Sequence, residues 1–269
     1  MASGTIYIDT GGATTNSGTS DNNAADLSGT GDAVVTGSVV QLTIGTNLST
    51  LATDGSQAIY IAQATNSNQK IFWITAKDDG LDQVTVSVAP TGVTASNWAI
   101  GGRMVYTSAN FEAALRAGDT VQFNNTPATK TAAFLTARVS GDSTTGRINI
   151  IGKTGVRPVL ETTNNSTVLT LANAYWFISN LEIKTSGTAA AINANGSDVM
   201  FDNIKVSGAG TGVAVAIGGS STVRNSEITG AGYTDGINAS GTGIRVISNY
   251  IHDVNGDGIE LTTTAPRDI

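Results

Sequence analysis

Asp235 and Asp257 stand 22 residues apart, each followed by Gly and Ile. In a chain that repeats at that interval, their carboxylates would lie about 5 Å apart on adjacent coils. Such a pair suits a retaining glycoside hydrolase, and with Glu260 nearby it could hold a cation such as Ca2+. Asp-Gly is also ordinary turn chemistry ahead of a core Ile, and that plainer reading is preferred. His252, the one histidine, precedes Asp253 and is a candidate general base. Column alignment instead packs Ile251 inward and leaves His252 at the surface or capping the last column. Glu182, Lys205 and Glu227 read as an exposed charge column of small energetic worth. Trp73, Trp98 and Trp176 could stack on sugars, with Trp176 the leading candidate because it directly precedes a strand, although packing is the commoner role. The catalytic candidates are therefore Asp235, Asp257, Glu260 and His252. No cofactor or metal site is expected; the acidic residues Asp198, Asp202 and Glu227 are scattered rather than clustered.

The elements that must position these residues are legible in a repeat. Asn180, Asn203, Asn225 and Asn249 recur at intervals of 23, 22 and 24 residues, which is a solenoid period. Two positions before them stand Ile178, Phe201, Val223 and Ile247; three after them stand Ile183, Val206, Ile228 and then His252. A further column is Ile192, Val215, Ile237 and Ile259. Each unit thus holds at least two short strands. In a parallel solenoid every strand pairs with its equivalent in the next coil, and asparagine suits the bend because it tolerates the left-handed conformation and can bond along the axis. A leucine-rich repeat shares the period, but its Leu-x-x-Leu-x-Leu run is missing. The fold class expected is all-β: a right-handed single-stranded parallel β-helix, preceded by a small β-rich N-terminal region and a short capping helix.

Composition agrees with many short strands and tight turns. The 269 residues include 32 glycines and only 13% charged side chains. A net charge of −7 and the lack of any Lys/Arg cluster remove the main attraction for nucleic acid. There are no cysteines, so disulfides and thiolate metal sites are absent. Neither a signal peptide nor a membrane-length apolar run is visible. A turn-rich chain of this kind without a leader would suit release by lysis, as for a virion component.

Three regions are expected. Residues 1–106 contain strand-like runs without the repeat; they read as a β-rich attachment region, with a sandwich as one form open to it, joined onward through residues 97–103, and with the alternative that Thr5 to Ile8 cap or join the solenoid. Residues 107–118 hold the capping helix, over 109–117, with Ser108 as N-cap and Phe111, Ala114 and Leu115 on one face. Residues 119–269 form the β-helix. The eight residues after its last full repeat make a poor cap, so a partner or further chain is expected to cover that end.

The segments Ala117-Gly-Asp-Thr-Val-Gln-Phe123 and Arg147-Ile-Asn-Ile-Ile-Gly152, with the asparagine coils, resemble right-handed β-helix proteins, including pectate-lyase-like enzymes and bacteriophage tailspikes. The resemblance covers roughly residues 108–265. It implies a homotrimer, other virion proteins as partners of the N-terminal region, bacterial surface polysaccharide as a possible ligand and the virion as location. The expectation is a non-enzymatic structural or receptor-contacting virion protein of tailspike, fibre or decoration type. The alternatives are a polysaccharide lyase or glycoside hydrolase on the same scaffold, and a cellular surface adhesin.

Overall fold

A computed structural model describes residues 2–13, 16–22, 24–43, 45–66, 69–104, 106, 111–262 and 267–269. The chain divides into two compact units, Met1–Gln122 and Phe123–Ile269.

In the first unit six strands follow one another around a closed barrel: Leu27–Thr36, Val39–Gln41, Gln83–Val86, Ile71–Asp78, Ala58–Ile61 and Ser96–Ile100. All neighbouring pairs are antiparallel. Alternating residues such as Ile59, Ile61, Phe72, Ile74, Trp98 and Ile100 fill the interior, as the period-two geometry of a strand requires. A sandwich would leave four sheet edges, whereas closure leaves none. Asn97–Ile100, read from sequence as part of a connector, instead belong to the strand that completes the ring.

The expected capping helix is not seen as a continuous element among the described residues. Ser108, Ala109 and Asn110 lie outside them, Phe111 is helical, and from Glu112 to Gly118 the chain makes turns and irregular structure. Phe111, Ala114 and Leu115 are buried as expected, but other groups take the bonds a helix would need. The Trp73 indole Nε1 donates to the Ala114 carbonyl at 2.6 Å. The Arg116 N–H donates to the Asp119 carboxylate at 2.8 Å. Gly118 has a φ of 86°, which stops helical propagation.

The second unit is a parallel β-helix with three sheets. The first contains Ile148–Gly152, Trp176–Ser179, Met200–Asp202, Thr222–Arg224, Ile244–Ile247 and Arg267–Asp268 in that order. The second contains Val159–Thr162, Glu182–Thr185, Lys205–Gly208, Glu227–Thr229 and Tyr250–His252. The third runs from Leu135–Thr136 through Leu169–Thr170, Ile192–Ala194, Val215–Ile217 and Ile237–Ala239 to Ile259–Leu261. The column Ile192, Val215, Ile237, Ile259 is in register along the third sheet. Ile183, Val206, Ile228 and Ile251 are in register along the second.

The first bend corrects one rung of the asparagine ladder. Asn180, Asn203 and Asn225 have φ near 50°, and the fourth left-handed residue is Ser248, at 53°. Val223 pairs with Val246 and Arg224 with Ile247, so Asn249 lies one place beyond the ladder and Ile247 faces out, 37% exposed. Asn249 works sideways instead: its amide accepts from the Ser226 N–H at 3.0 Å and donates to the Val223 carbonyl at 2.8 Å. The other asparagines also bond away from one another. Asn180 donates to the carbonyls of Gly152, Lys153 and Val156, and Asn225 to the Asp202 carboxylate. Backbone conformation, not an amide-to-amide chain, explains their recurrence.

Between the second and third sheets, the fully buried Tyr233 ring fills the turn and its hydroxyl donates to the Ser207 carbonyl at 2.7 Å. A Cβ at Gly210 or Gly230 would come within 2.7 Å of that ring, so the glycines there are the space the tyrosine occupies.

Candidate functional site

Polar chemistry in the solenoid collects on the outward face of the second sheet and the bend beside it. Residues two apart on a strand share a face, and parallel register stacks Glu182, Lys205, Glu227 and Tyr250 into one outward column. A second column on the same face contains Glu161, Lys184 and Ser207 on successive coils, and His252 beside Thr229 two coils further on.

These groups are already engaged with one another. Lys205 Nζ lies 2.9 Å from Glu227 Oε1 and Lys184 Nζ 3.2 Å from Glu161 Oε1. Ser207 donates to Glu182 at 2.6 Å. At the edge of the first sheet, Arg224 meets Asp202 at 2.7 Å. The Lys205 hydrogen bond is the main cause that holds the Glu227 carboxyl below its usual range, against partial desolvation. Desolvation works to raise Asp202, but the hydrogen bonds from Arg224 and Asn225 outweigh it and hold that carboxyl below its usual range too. Both are therefore ionised near neutrality.

His252 sits at the end of this face. Its Nδ1 is 2.8 Å from Asp253 Oδ2, its Nε2 is 3.5 Å from Glu227 Oε1, and its ring stacks on Tyr250 with centroids 4.2 Å apart. Both ring nitrogens thus face carboxylates. Asp253 has a φ of 53° at the bend position that Gly208 and Gly230 occupy in the preceding coils. The adjoining cleft, about 280 Å³, is lined by Arg157, Ile204, Asn225, Glu227, Ser248 and Tyr250 among others. Arg157 reaches across it to donate to Asn203 at 2.6 Å.

The remaining candidates fall elsewhere. Asp235 accepts the backbone N–H of Asp257 at 3.1 Å, a carboxylate-to-backbone turn bond that uses the first group and leaves the second exposed. Glu260 pairs with the Asn238 amide on the outer face of the third sheet. Among the described residues, no group of three His, Asp or Glu side chains is placed to hold a metal ion. Trp176 is wholly buried, with its Nε1 donating to the Val139 carbonyl at 3.1 Å, so it has no face to offer a sugar. Trp73 and Trp98 are buried as well. The exposed aromatic is Tyr250, 65% accessible. Sequence reasoning missed it, although extending the Glu182, Lys205, Glu227 column by one more coil length leads to it.

The fold and this face together define a right-handed parallel β-helix protein. Residues 160–267 match the family described as the right handed beta helix region. No curated protein and no solved structure matches the chain. No described helix is long and apolar enough to cross a membrane.

Proposed function

We propose that this chain is a non-enzymatic structural protein of a bacteriophage virion, of tailspike, fibre or decoration type. Its β-helix presents the lateral face to a receptor and its N-terminal region attaches to the particle. The observation that carries the non-enzymatic reading is the coil-to-coil neutralisation on the second sheet and at the adjoining edge of the first. Lys205 with Glu227 and Arg224 with Asp202 hold carboxylates ionised by neighbouring cations, whereas a general acid must keep its proton near neutral pH. The resemblance of the coils to phage β-helix proteins supports the particle assignment, and homotrimer formation follows from the same resemblance. Surface polysaccharide is the receptor class that an exposed Tyr250 beside Arg157 and Asn203 would suit.

The test is mass spectrometry of purified virions, together with reducing-sugar and unsaturated-uronate assays on bacterial polysaccharides. The chain should be found in particles, and the purified protein should release no product. Turnover that disappears in a Glu227→Gln, His252→Ala variant would replace this reading with a polysaccharide lyase or glycoside hydrolase. Absence from particles would move weight to a cellular surface adhesin.

A further inference from the structure

An asparagine can lose its amide without a catalyst when the next backbone nitrogen is free to attack its side-chain carbonyl carbon. Glycine in the next place favours that attack most, having no side chain in the way and the widest backbone freedom. The chain contains two such pairs, Asn195–Gly196 and Asn255–Gly256. Both lie in turns of the solenoid, the first directly after strand Ile192–Ala194 and the second between Tyr250–His252 and Ile259–Leu261. Both asparagine side chains are exposed, and neither has a hydrogen-bond partner among the described residues.

The attacking nitrogen separates the two pairs. Gly196 is buried, and its N–H donates to the Leu171 carbonyl of the preceding coil at 2.9 Å. That bond must open before the nitrogen can turn toward Asn195. Gly256 is exposed, and its N–H has no partner among the described residues. Serine is the next most permissive follower, and there the N–H is engaged as well. Ser17 donates to the Gly101 carbonyl at 3.2 Å, Ser166 to the Asn164 carbonyl at 2.6 Å and Ser226 to Asn249 Oδ1 at 3.0 Å. Gly256 is the follower whose nitrogen is left unengaged among these described pairs.

We propose that Asn255–Gly256 is a site of spontaneous covalent modification, converting to aspartate and isoaspartate while Asn195 is preserved. The Gly256 nitrogen bonds to Asn255 Cγ, the Cγ–Nδ2 bond breaks, and Nδ2 leaves as ammonia with the Gly256 proton. Water then opens the cyclic imide. Addition at Cγ gives aspartate, and addition at the main-chain carbonyl carbon gives isoaspartate, whose chain runs through the former side chain. Either product adds a carboxylate to a turn that already carries Asp253 and Asp257 and lies against Asp235. Isoaspartate also inserts a methylene between the two bonds that pin this turn, from the Asn255 N–H to the Tyr233 carbonyl at 2.9 Å and from the Asp257 N–H to the Asp235 carboxylate at 3.1 Å. The coil that bears Tyr250 and His252 therefore loosens as the protein ages. The inference is independent of the virion role, so failure of either leaves the other standing.

The test is incubation of the full chain in mildly alkaline buffer, folded and in denaturant, followed by tandem mass spectrometry of its tryptic peptides. In the folded protein Asn255 should convert at least about tenfold faster than Asn195, the factor that opening one backbone hydrogen bond represents. In denaturant the two should convert at similar rates. Hydrogen exchange over residues 250–261 should rise in the aged parent but not in equally aged Asn255→Gln, whose longer side chain closes the imide far more slowly. The proposal is overturned if the two asparagines convert equally fast in the folded chain, if Asn255 keeps its amide over a period in which the denatured chain converts, or if the aged parent exchanges like aged Asn255→Gln.

Discussion

The barrel and the β-helix solve the same problem, the unpaired strand edge, in opposite ways. The barrel joins its first strand, Leu27–Thr36, to its last, Ser96–Ile100, so every strand depends on partners brought together from distant sequence. The β-helix pairs these strands with their equivalents 22 or 23 residues on, so each coil depends chiefly on the two beside it. A closed ring should therefore fail as one body, and a solenoid coil by coil.

The largest expected effects sharpen that contrast. Phe72→Ala in the barrel and Phe201→Ala in the solenoid both remove fully buried rings and should each cost about 3–5 kcal/mol. Hydrogen exchange should rise across all six barrel strands for Phe72→Ala, but mainly over residues 176–229 for Phe201→Ala. Uniform acceleration of the whole solenoid would break the comparison.

Next in size is the Tyr233 turn. Gly230→Ala should destabilise by about 1–3 kcal/mol through overpacking. Combined with Tyr233→Ala, which vacates the space, it should cost less than the sum of the two single changes. Strict additivity in denaturant unfolding would show that the ring and the glycine do not oppose each other.

The first bend distinguishes two registers. Ser248→Gly should be neutral or stabilise by up to about 1 kcal/mol, because Ser248 pays for a left-handed conformation. Asn249→Ala should destabilise by about 1–2 kcal/mol through its two lost backbone bonds. The opposite ordering of midpoints would return Asn249 to the ladder.

The smallest effect is electrostatic. Glu227 and Asp202 have carboxyls lowered on folding, so their contribution is fully present above the unfolded values of 4.5 and 3.8 and is lost as pH falls through the folded values. Thermal stability should drop modestly between pH 5 and pH 3, and less so in Lys205→Gln. These pairs are partly exposed and each contributes at most about 1 kcal/mol.

Legibility in sequence followed the same division. The columns headed by Ile192 and Ile183 could be read because their partners recur at a fixed spacing, and each repeat is independent testimony to the next. The reading slipped at the one place where spacing and conformation part company. Asn249 matches the residue type, but Ser248 takes the geometry, since the register sets Ser248 opposite Asn225 and Asn249 opposite Ser226. In the barrel, Leu27 finds Ile100 and Val39 finds Thr85 with no periodic signal, and beyond Phe111 the helix expected over 109–117 gives way to turns where Trp73, a residue distant in sequence, claims the Ala114 carbonyl. The site divided likewise: the charge column was visible as a repeat, whereas the burial of Trp176 arises from packing that no local pattern records.

Coil-on-coil register underlies the charge pairing, the bend and the functional reading alike, and the absence of cysteine makes it directly measurable. Thr222 pairs with Arg245 on the outer face of the first sheet, whereas Val246 points inward. Under mild oxidation, the Thr222→Cys, Arg245→Cys double variant should form an intramolecular disulfide, detected by mass spectrometry of tryptic peptides, because neighbouring parallel strands place such residues within bonding reach. The Thr222→Cys, Val246→Cys variant should not. Crosslinking of the second pair but not the first would contradict the register on which the account rests.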